Sequence, residues 1–225
     1  MTELMTVTRP SAWAPIRRTL LSRLVLALLA IAPLAACQTR PAQLAQDDDS
    51  AWYIGAKPDK PFDIPLVDTG RLDPKYRRQQ VSYNGPEQPG TILVDIDKRQ
   101  LLLVQADGTA MQYGVGVGKA GFSWKGEARV GRKGVWPDWS PTATMVSLNP
   151  DLPRTRKGGL DNPLGARTLY LYQNGVYTLY TIYSTSDPES IGNGVTSGCT
   201  GLLTQDMMDL YSRTPVKTKV IVLPA

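Results

Sequence analysis

A cysteine near the C-terminus, Cys199, stands among small residues in the run TSGCTG at positions 196–201. The pattern at residues 205–213 predicts a helix shortly after it, with Thr204 as the N-cap. Because a helix N-terminus carries partial positive charge, it can lower the pKa of a nearby thiol and favour the thiolate. The sequence therefore predicts that Cys199 is a nucleophile.

The other cysteine, Cys37, ends an N-terminal segment that is typical of a targeting signal. Several arginines precede an apolar run at residues 24–34, which is too short for a bilayer span of roughly 20 residues. The LAAC run at residues 34–37 is similar to a bacterial lipobox, whose cysteine becomes the lipidated N-terminus. Because Gln38 is not an aspartate, this resemblance implies the periplasmic face of the outer membrane. The alternative is an ordinary signal peptide cut near Ala36, with Cys37 incidental.

The charge of the chain argues against a nucleic-acid partner. The predicted signal segment, residues 1–36, holds four of the 25 basic and one of the 20 acidic residues. The remainder carries 21 basic and 19 acidic residues, a net charge of +2, and has no basic run interleaved with aromatics. If Cys37 is acylated, Cys199 is the only thiol left, so no disulfide can form in an oxidising compartment. A lone thiol there indicates nucleophilic chemistry.

The remaining chain is predicted to be an arm followed by a mainly β domain. Residues 37–89 form a lipidated tether and lead-in arm, because prolines and aspartates interrupt every candidate element. Their Pro/Asp-rich part is expected to be mobile, and residues 76–83 are expected to pack on the domain. Residues 90–225 are predicted to form the β domain that contains Cys199, with an Asn174-Gly175 hairpin turn and one or two short helices. The predicted strands are residues 91–96, 100–104, 111–117, 168–172, 177–183 and 216–223.

Glycines and tryptophans mark two further segments. The GVGVG run at residues 114–118 lacks the Lys-Ser/Thr and the helix of a phosphate loop, so it indicates a strand that backbone or ligand approaches closely. Trp136 and Trp139 could form an aromatic wall for a glycan or peptide, because indole faces stack on sugars and cations. The alternative is that they fill the core at a sheet corner. The loop at residues 150–163 is long enough to suggest a function, and its Lys157 is a candidate base.

Several of these runs occur in the order found in one known family. They are GVGVG at 114–118, VGRK at 130–133, WPDW at 136–139, DNPLGA at 161–166 and the final SGC block. Over residues 90–223 the chain resembles the L,D-transpeptidase catalytic domain, the YkuD-like family that crosslinks peptidoglycan. The resemblance implies a β-sandwich and a cysteine that attacks a donor stem peptide and passes the acyl group to an amine. It implies no metal or cofactor.

The resemblance also assigns roles to residues around Cys199, and two positions depart from the pattern. The family histidine that acts as general base corresponds to Tyr183, and this chain contains no histidine at all. The family arginine that follows the catalytic cysteine corresponds to Gly201. Ser197 and Gly198 complete the catalytic block, with Ser197 in place of a second family histidine. Trp136, Trp139, Ser184 and Thr185 are the predicted substrate-binding residues.

Two interpretations follow from this pattern. In the first, the protein is a peptidoglycan transpeptidase that uses Cys199 on stem peptides with impaired activity, since a general base typically contributes 10²–10⁴-fold. In the second, it is an inactive lipoprotein that binds peptidoglycan or another cell-wall enzyme. Both place it in the periplasm with peptidoglycan stems as partners.

Overall fold

The chain is mostly β structure over residues 49–119 and 124–223, which are the ranges that the computed structural model describes. These ranges exclude Cys37 and the predicted signal segment. In them, neither α-helix has the length and apolar character that a bilayer crossing requires. In chain order the elements are β1 (Tyr53–Lys57), β2 (Ile64–Val67), β3 (Gln79–Ser82), β4 (Ile92–Asp95), β5 (Gln100–Val104), β6 (Thr109–Gly114), β7 (Val117–Gly118), β8 (Gly126–Val135), α1 (Ala143–Leu148), β9 (Arg167–Gln173), β10 (Val176–Thr185), β11 (Gly194–Thr196), β12 (Thr200–Leu203), α2 (Thr204–Arg213) and β13 (Lys219–Val222).

Nine of the described strands form one mixed sheet in the order β12-β10-β9-β8-β13-β4-β5-β6-β3. Most neighbours are antiparallel, whereas β10 with β12 and β4 with β13 are parallel. Gly116, which follows β6, bonds back to β12: its N–H donates to the Gly201 carbonyl (2.9 Å) and its carbonyl accepts from the Gly201 N–H (2.8 Å). The sheet therefore curls until β12 meets the segment after β6, which gives the predicted mainly β, sandwich-like architecture.

The enclosed face of the sheet carries the main hydrophobic core. Because side chains alternate along a strand, every second residue of the central strands points into it. Leu169, Leu171 and Ile182 come from β9 and β10, while Met207 and Leu210 come from the apolar side of α2, and all are at most 2% exposed. Burial of such side chains stabilises the fold by roughly 1.5–3 kcal/mol each. The residues between them, such as Tyr170, face the outer side of the sheet.

The glycine run at residues 114–118 is a closely packed strand segment, as predicted. A Cβ on Gly114 would clash with the backbone carbonyl of Tyr76. A Cβ on Gly116 would lie 2.7 Å from the Ser190 carbonyl oxygen. The glycines are therefore required where other backbone segments lie against the strand.

The segment before Gly90 contains three strands where the sequence predicted no regular element. β1 and β2 form an antiparallel hairpin, and β3 pairs with β6 at the edge of the large sheet. The Val67 backbone exchanges two hydrogen bonds with the Gln205 side chain, at 2.9 and 2.8 Å. The expected mobility of this arm stays a prediction, whereas the expected packing of the lead-in on the domain is found. Strand β3 was missed because its partner lies far along the chain, whereas β1 and β2 were missed because prolines interrupt the segment that forms their hairpin.

The predicted elements after Gly90 are largely confirmed. Strand β5 has the predicted bounds, and Asn174 and Gly175 both have positive φ (51° and 80°), as a two-residue hairpin turn requires. Helix α2 is confirmed, but Thr204 is not its N-cap: the cap is Leu203, which makes no side-chain bond, and the Thr204 hydroxyl donates to the Thr185 carbonyl (3.3 Å). Strand β8 and helix α1 were not predicted.

Candidate active site

Cys199 lies at the end of a tight turn that leads directly into β12. Gly198 before it has a φ of 120°, a conformation that favours glycine. The Thr196 hydroxyl accepts from the Gly198 N–H (3.2 Å) and donates to the Cys199 carbonyl (2.6 Å). These local bonds fix the backbone of the turn, and the Cys199 side chain is half-buried against β10.

The part of β10 that faces the thiol is bulged. The pairing of β10 with β9 shifts register between Tyr177 and Thr181, and Leu179 inside the bulge has a φ of 68°, which is unusual for a bulky residue. The Leu179 carbonyl oxygen lies 4.0 Å from Cys199 Sγ. The buried Thr181 hydroxyl has no other hydrogen-bond partner among the described residues and is placed to donate to the thiolate.

The surroundings of Cys199 favour the neutral thiol. Burial raises the pKa of Cys199 above its ordinary value, and hydrogen bonding from the Thr181 side chain and backbone only partly opposes this. Helix α2 begins only after the four residues of β12. The predicted lowering of the pKa by a helix N-terminus is therefore wrong, because the dipole acts only near the first turn.

Tyr183 and Gly201, the two positions predicted to depart from the family pattern, are partners in the parallel pairing of β10 with β12. A Cβ on Gly201 would lie 3.2 Å from both Cζ and Oη of Tyr183. The phenol ring therefore occupies the space that a side chain at position 201 would enter. Burial first, and then the nearby Cys199, raises the pKa of Tyr183, so this phenol stays neutral at pH 7. The two departures are sterically coupled.

The other residues predicted around Cys199 have mostly structural contacts. Ser184 is fully buried, and its hydroxyl accepts from the Arg167 N–H (3.1 Å) and donates to the Arg167 carbonyl (3.3 Å). The Thr185 hydroxyl accepts from the Asp187 N–H (3.0 Å). Ser197 is exposed beside the thiol. The substrate contacts predicted for Ser184 and Thr185 stay predictions, since neighbouring backbone already engages both hydroxyls.

Trp136 fills a small core and anchors the N-terminal arm. Its ring is 8% exposed and packs with Ile64, while Phe62 meets it edge-on at 5.1 Å between centroids. Its Nε1–H donates to Asp59 Oδ2 (2.9 Å), and Arg167 donates to both oxygens of the same carboxylate (2.9 and 2.8 Å). Of the two interpretations of this tryptophan, the packing fits core filling.

Trp139 and Lys157 lie on a second pair of segments. Trp139 is half-buried, and its backbone exchanges two hydrogen bonds with Arg156, both 2.8 Å. Lys157 Nζ forms an ion pair with Asp138 Oδ2 at 2.8 Å, and this hydrogen bond raises the pKa of Lys157. A lysine held in its charged form is unsuited to accept the thiol proton. Within the described ranges, no cluster of three or more metal-ligating side chains occurs.

Two contributors to the site were missed by the sequence analysis. Thr181 could have been found, because it lies two residues before Tyr183 and a strand places such residues on one face. The orientation of the Leu179 carbonyl could not have been found, since it depends on the left-handed backbone conformation of the bulge. No sequence pattern marks a leucine for that conformation.

Comparison with known proteins identifies a family and several relatives of this chain. The profile of the YkuD family, described as the L,D-transpeptidase catalytic domain, matches residues 89–222. The probable L,D-transpeptidase YbiS of Escherichia coli K12 is 29% identical over 150 residues, which are 63% of this chain and 47% of that protein. A putative L,D-transpeptidase of Fuscovulum blasticum, from the region of its ATP synthase subunits, is 33% identical over 44% of this chain and 50% of that protein. The chain thus spans about half the length of these curated relatives.

Among solved structures, a Brucella melitensis protein described as a probable carnitine operon oxidoreductase caia is 39% identical. The match covers 69% of this chain and 99% of that one, with a TM-score of 0.46. The family assignment comes instead from the profile, which covers well over half of the chain and includes Cys199, Tyr183 and Gly201. This protein is therefore a member of the L,D-transpeptidase catalytic domain (YkuD) family.

Proposed function

We propose that this protein acts on the stem peptides of peptidoglycan through Cys199, as an acyltransferase of the L,D-transpeptidase family with impaired turnover. The observation that carries the proposal is that the surroundings of Cys199 favour its neutral thiol over the thiolate. Two phenols, Tyr177 and Tyr183, lie within electrostatic range of Cys199, and burial raises the pKa of all three groups. The sequence contains no histidine that could take the thiol proton.

The chemistry requires the thiolate. Its sulfur bonds to the carbonyl carbon of the donor amide, the C–N bond breaks, and the amine leaves with a proton; an acceptor amine then displaces the sulfur and regenerates the thiolate. A neutral phenol such as Tyr183 can donate a hydrogen bond but cannot remove the first proton at pH 7. The acylation step is therefore slow, whereas binding of the peptide does not depend on the base.

The test is acylation of the purified protein by a carbapenem, followed by intact mass. We expect slow adduct formation at pH 7 and none in a Cys199→Ala variant. Alkylation by iodoacetamide across pH 6–10 should accelerate only toward the alkaline end, because the thiol pKa is raised. Rapid stoichiometric acylation, or thiolate reactivity below pH 7, would contradict an impaired nucleophile.

The second candidate function is a binding protein without turnover, and the coupled pair Tyr183 and Gly201 favours it. Tyr183 stands at the predicted position of the family base, and its ring also occupies the space that a side chain at position 201 would enter. To distinguish the candidates, we would incubate the protein with disaccharide tetrapeptides and follow products by mass spectrometry. Crosslinked dimers that are absent with Cys199→Ala support the acyltransferase, whereas retention on peptidoglycan without any product supports the binding protein.

We further propose that the protein is periplasmic and attached to the outer membrane through a lipid on Cys37. The LAAC run and the residue Gln38 support this proposal. Replacement Cys37→Ala should release the protein from the membrane fraction, while Cys199→Ala serves as the matched control. Unchanged retention of the Cys37 variant would contradict lipidation at this residue. Contacts with other cell-wall enzymes belong to the same proposal.

A further inference from the structure

A row of four side chains crosses the outer face of the sheet and ends at Cys199. Arg132 of β8 pairs with Tyr170 of β9, and Tyr170 pairs with Thr181 of β10. Because Ile182 pairs with Thr200, the preceding residues, Thr181 and Cys199, lie at the same level. Neighbouring strands are about 4.8 Å apart, so the backbones at the two ends of the row are separated by about 14 Å.

The position of Arg132 follows from a bulge in β8. The register of β8 against β9 shifts between Val130 and Arg132, with Gly131 as the intervening residue. A Cβ on Gly131 would clash with the ring of Tyr172, so this ring requires a glycine there. After the bulge, the Arg132 guanidinium lies over the Tyr170 ring, 3.5 Å from its centroid.

Three tyrosines hold this end of the row together. Tyr177 of β10 packs edge-on against Tyr170 (5.7 Å between centroids) and tilted against Tyr172 (5.5 Å). Tyr177 is within electrostatic range of both Arg132 and Cys199. The guanidinium is therefore held on a packed aromatic surface that continues to the thiol.

The charge of Arg132 is not compensated by the protein in the ranges described, where no carboxylate forms an ion pair with it. Its neighbour Lys133 behaves differently, since Lys133 Nζ donates to the carbonyls of Tyr211 and Thr214, both at 2.7 Å. Stacking uses the flat face of a guanidinium and leaves its N–H groups directed outward in the plane. Such an exposed, pre-oriented group suits bidentate binding of a carboxylate.

We propose that Arg132, held on Tyr170, binds a carboxylate of the peptide whose reacting carbonyl lies at Cys199. The guanidinium lies over Tyr170 of β9, two strands from the strand that follows Cys199, so the two groups are about 10 Å apart. An extended peptide advances about 3.3 Å per residue, so about three residues span this distance. The proposal rests on the proposed function for the identity of the ligand, a stem peptide, but it requires no turnover. The proposal assigns recognition of the negative charge of the peptide to Arg132 on β8. Gly201, at the predicted position of the family arginine, has no side chain that could do this.

The test is binding of a synthetic tetrapeptide stem, L-Ala-γ-D-Glu-meso-diaminopimelate-D-Ala, to the purified protein by calorimetry. Arg132→Gln should weaken binding about tenfold, as expected for the loss of a charge-assisted bidentate contact. Arg129→Gln is the matched control: it removes the same charge from the same strand, but its guanidinium donates to the Lys217 carbonyl (3.1 Å). Arg132→Lys should give an intermediate affinity.

Three further peptides, each with one carboxylate amidated (that of the D-Glu residue, the side-chain carboxylate of diaminopimelate or that of the C-terminus), locate the contact. One of these amidations should weaken binding to the parent protein about tenfold and leave the affinity of the Arg132→Gln variant unchanged. Equal losses in the Arg129 and Arg132 variants, or no effect of any of the three amidations, would overturn the proposal while leaving the proposed function standing. Failure of the parent protein to bind the stem peptide at all would overturn both.

Discussion

Cys199 and Asp59 are two ionisable side chains whose surroundings shift their pKa values in opposite directions. Asp59 meets a guanidinium and an indole N–H, and hydrogen bonding from Arg167 is the main reason that its pKa is lowered. Cys199 meets phenols, a hydroxyl and a carbonyl, and burial raises its pKa. The difference shows that a partly buried acid is charged here only where the fold supplies a positive partner.

The Asp59 site joins segments that are far apart in the sequence, and its charge is used for structure. At the thiol site, Tyr183 and Gly201 stand at the positions where the resemblance predicts a histidine and an arginine. Five sets of variants test this comparison, in order of decreasing expected effect.

Restoring the missing partners should have the largest effect. Tyr183→His combined with Gly201→Arg should raise the rate of carbapenem acylation by about 10²–10⁴, the usual contribution of a general base. Intact mass against time measures this rate. If the double variant reacts no faster than the parent, the missing base does not limit the reaction.

The single variants sharpen this result because the two positions are coupled. Gly201→Ala alone should destabilise the protein, since its Cβ would lie 3.2 Å from the Tyr183 ring and hydroxyl. In a Tyr183→Ala background the same change should be better tolerated. Equal costs in both backgrounds, measured by urea unfolding, would show that the phenol does not occupy the space of residue 201.

Removing the charge of Asp59 should destabilise the arm. Asp59→Asn loses charge-assisted hydrogen bonds and leaves Arg167 without its carboxylate, so we expect a loss of about 2–3 kcal/mol in the free energy of unfolding at pH 7. Because the folded pKa of Asp59 is lowered, its stabilisation is present above about pH 4 and is lost as the pH falls through the folded pKa. The variant should therefore resemble the parent at low pH. Asp63→Asn is the control on the same arm.

Asp206 on α2 is a third case, in which a positive partner is present but does not keep the pKa of the carboxyl group low. It is 2% exposed, Arg78 Nε lies 3.5 Å from its Oδ1, and burial together with the neighbouring Asp209 raises its pKa to about 6. Between about pH 4 and 6 the folded state holds a proton that the unfolded state has released. The free energy of unfolding should fall across this window as the pH rises, by up to about 1.4 kcal/mol per pH unit.

Asp206→Asn should remove this slope, which urea unfolding at pH 4.5–7 would measure. An unchanged slope would mean that Asp206 ionises near its ordinary pKa. Glu189→Gln is a suitable control, because its side chain is exposed and accepts from Trp52 Nε1 (3.0 Å).

The smallest effect is expected from Thr181→Val, which keeps the shape of the side chain and removes its hydroxyl. Because this hydroxyl favours the thiolate, the pKa of Cys199 should rise further, and alkylation at pH 8 should slow by about 2- to 10-fold. Thr178→Val is the control in the same bulge, since the Thr178 hydroxyl donates to the Leu171 carbonyl (2.8 Å) instead. An identical alkylation rate for Thr181→Val would exclude its hydroxyl as a partner of the thiol.

Local signals in the sequence predicted most of the elements that carry the site. The Asn174-Gly175 turn, the alternation in β9 and β10 and the helix at α2 are all determined by residues within a few positions of one another. Strand β3 lacked such a signal, since its partner is β6, and β1 and β2 lacked it because prolines interrupt the segment that forms their hairpin. Strand β8 was hidden because Gly131 interrupts its alternation, and this glycine is explained only by the ring of Tyr172.

The sequence by itself determined the family pattern, the lone cysteine of the β domain and the absence of any histidine, because these are properties of residue identity and order. Only the tertiary structure decided the protonation of Cys199, the fit of Tyr183 over Gly201 and the alignment of Arg132 with the thiol. The physical reason is that burial, steric exclusion and electrostatic range depend on distances between strands, and the curl of the sheet and its two bulges set those distances.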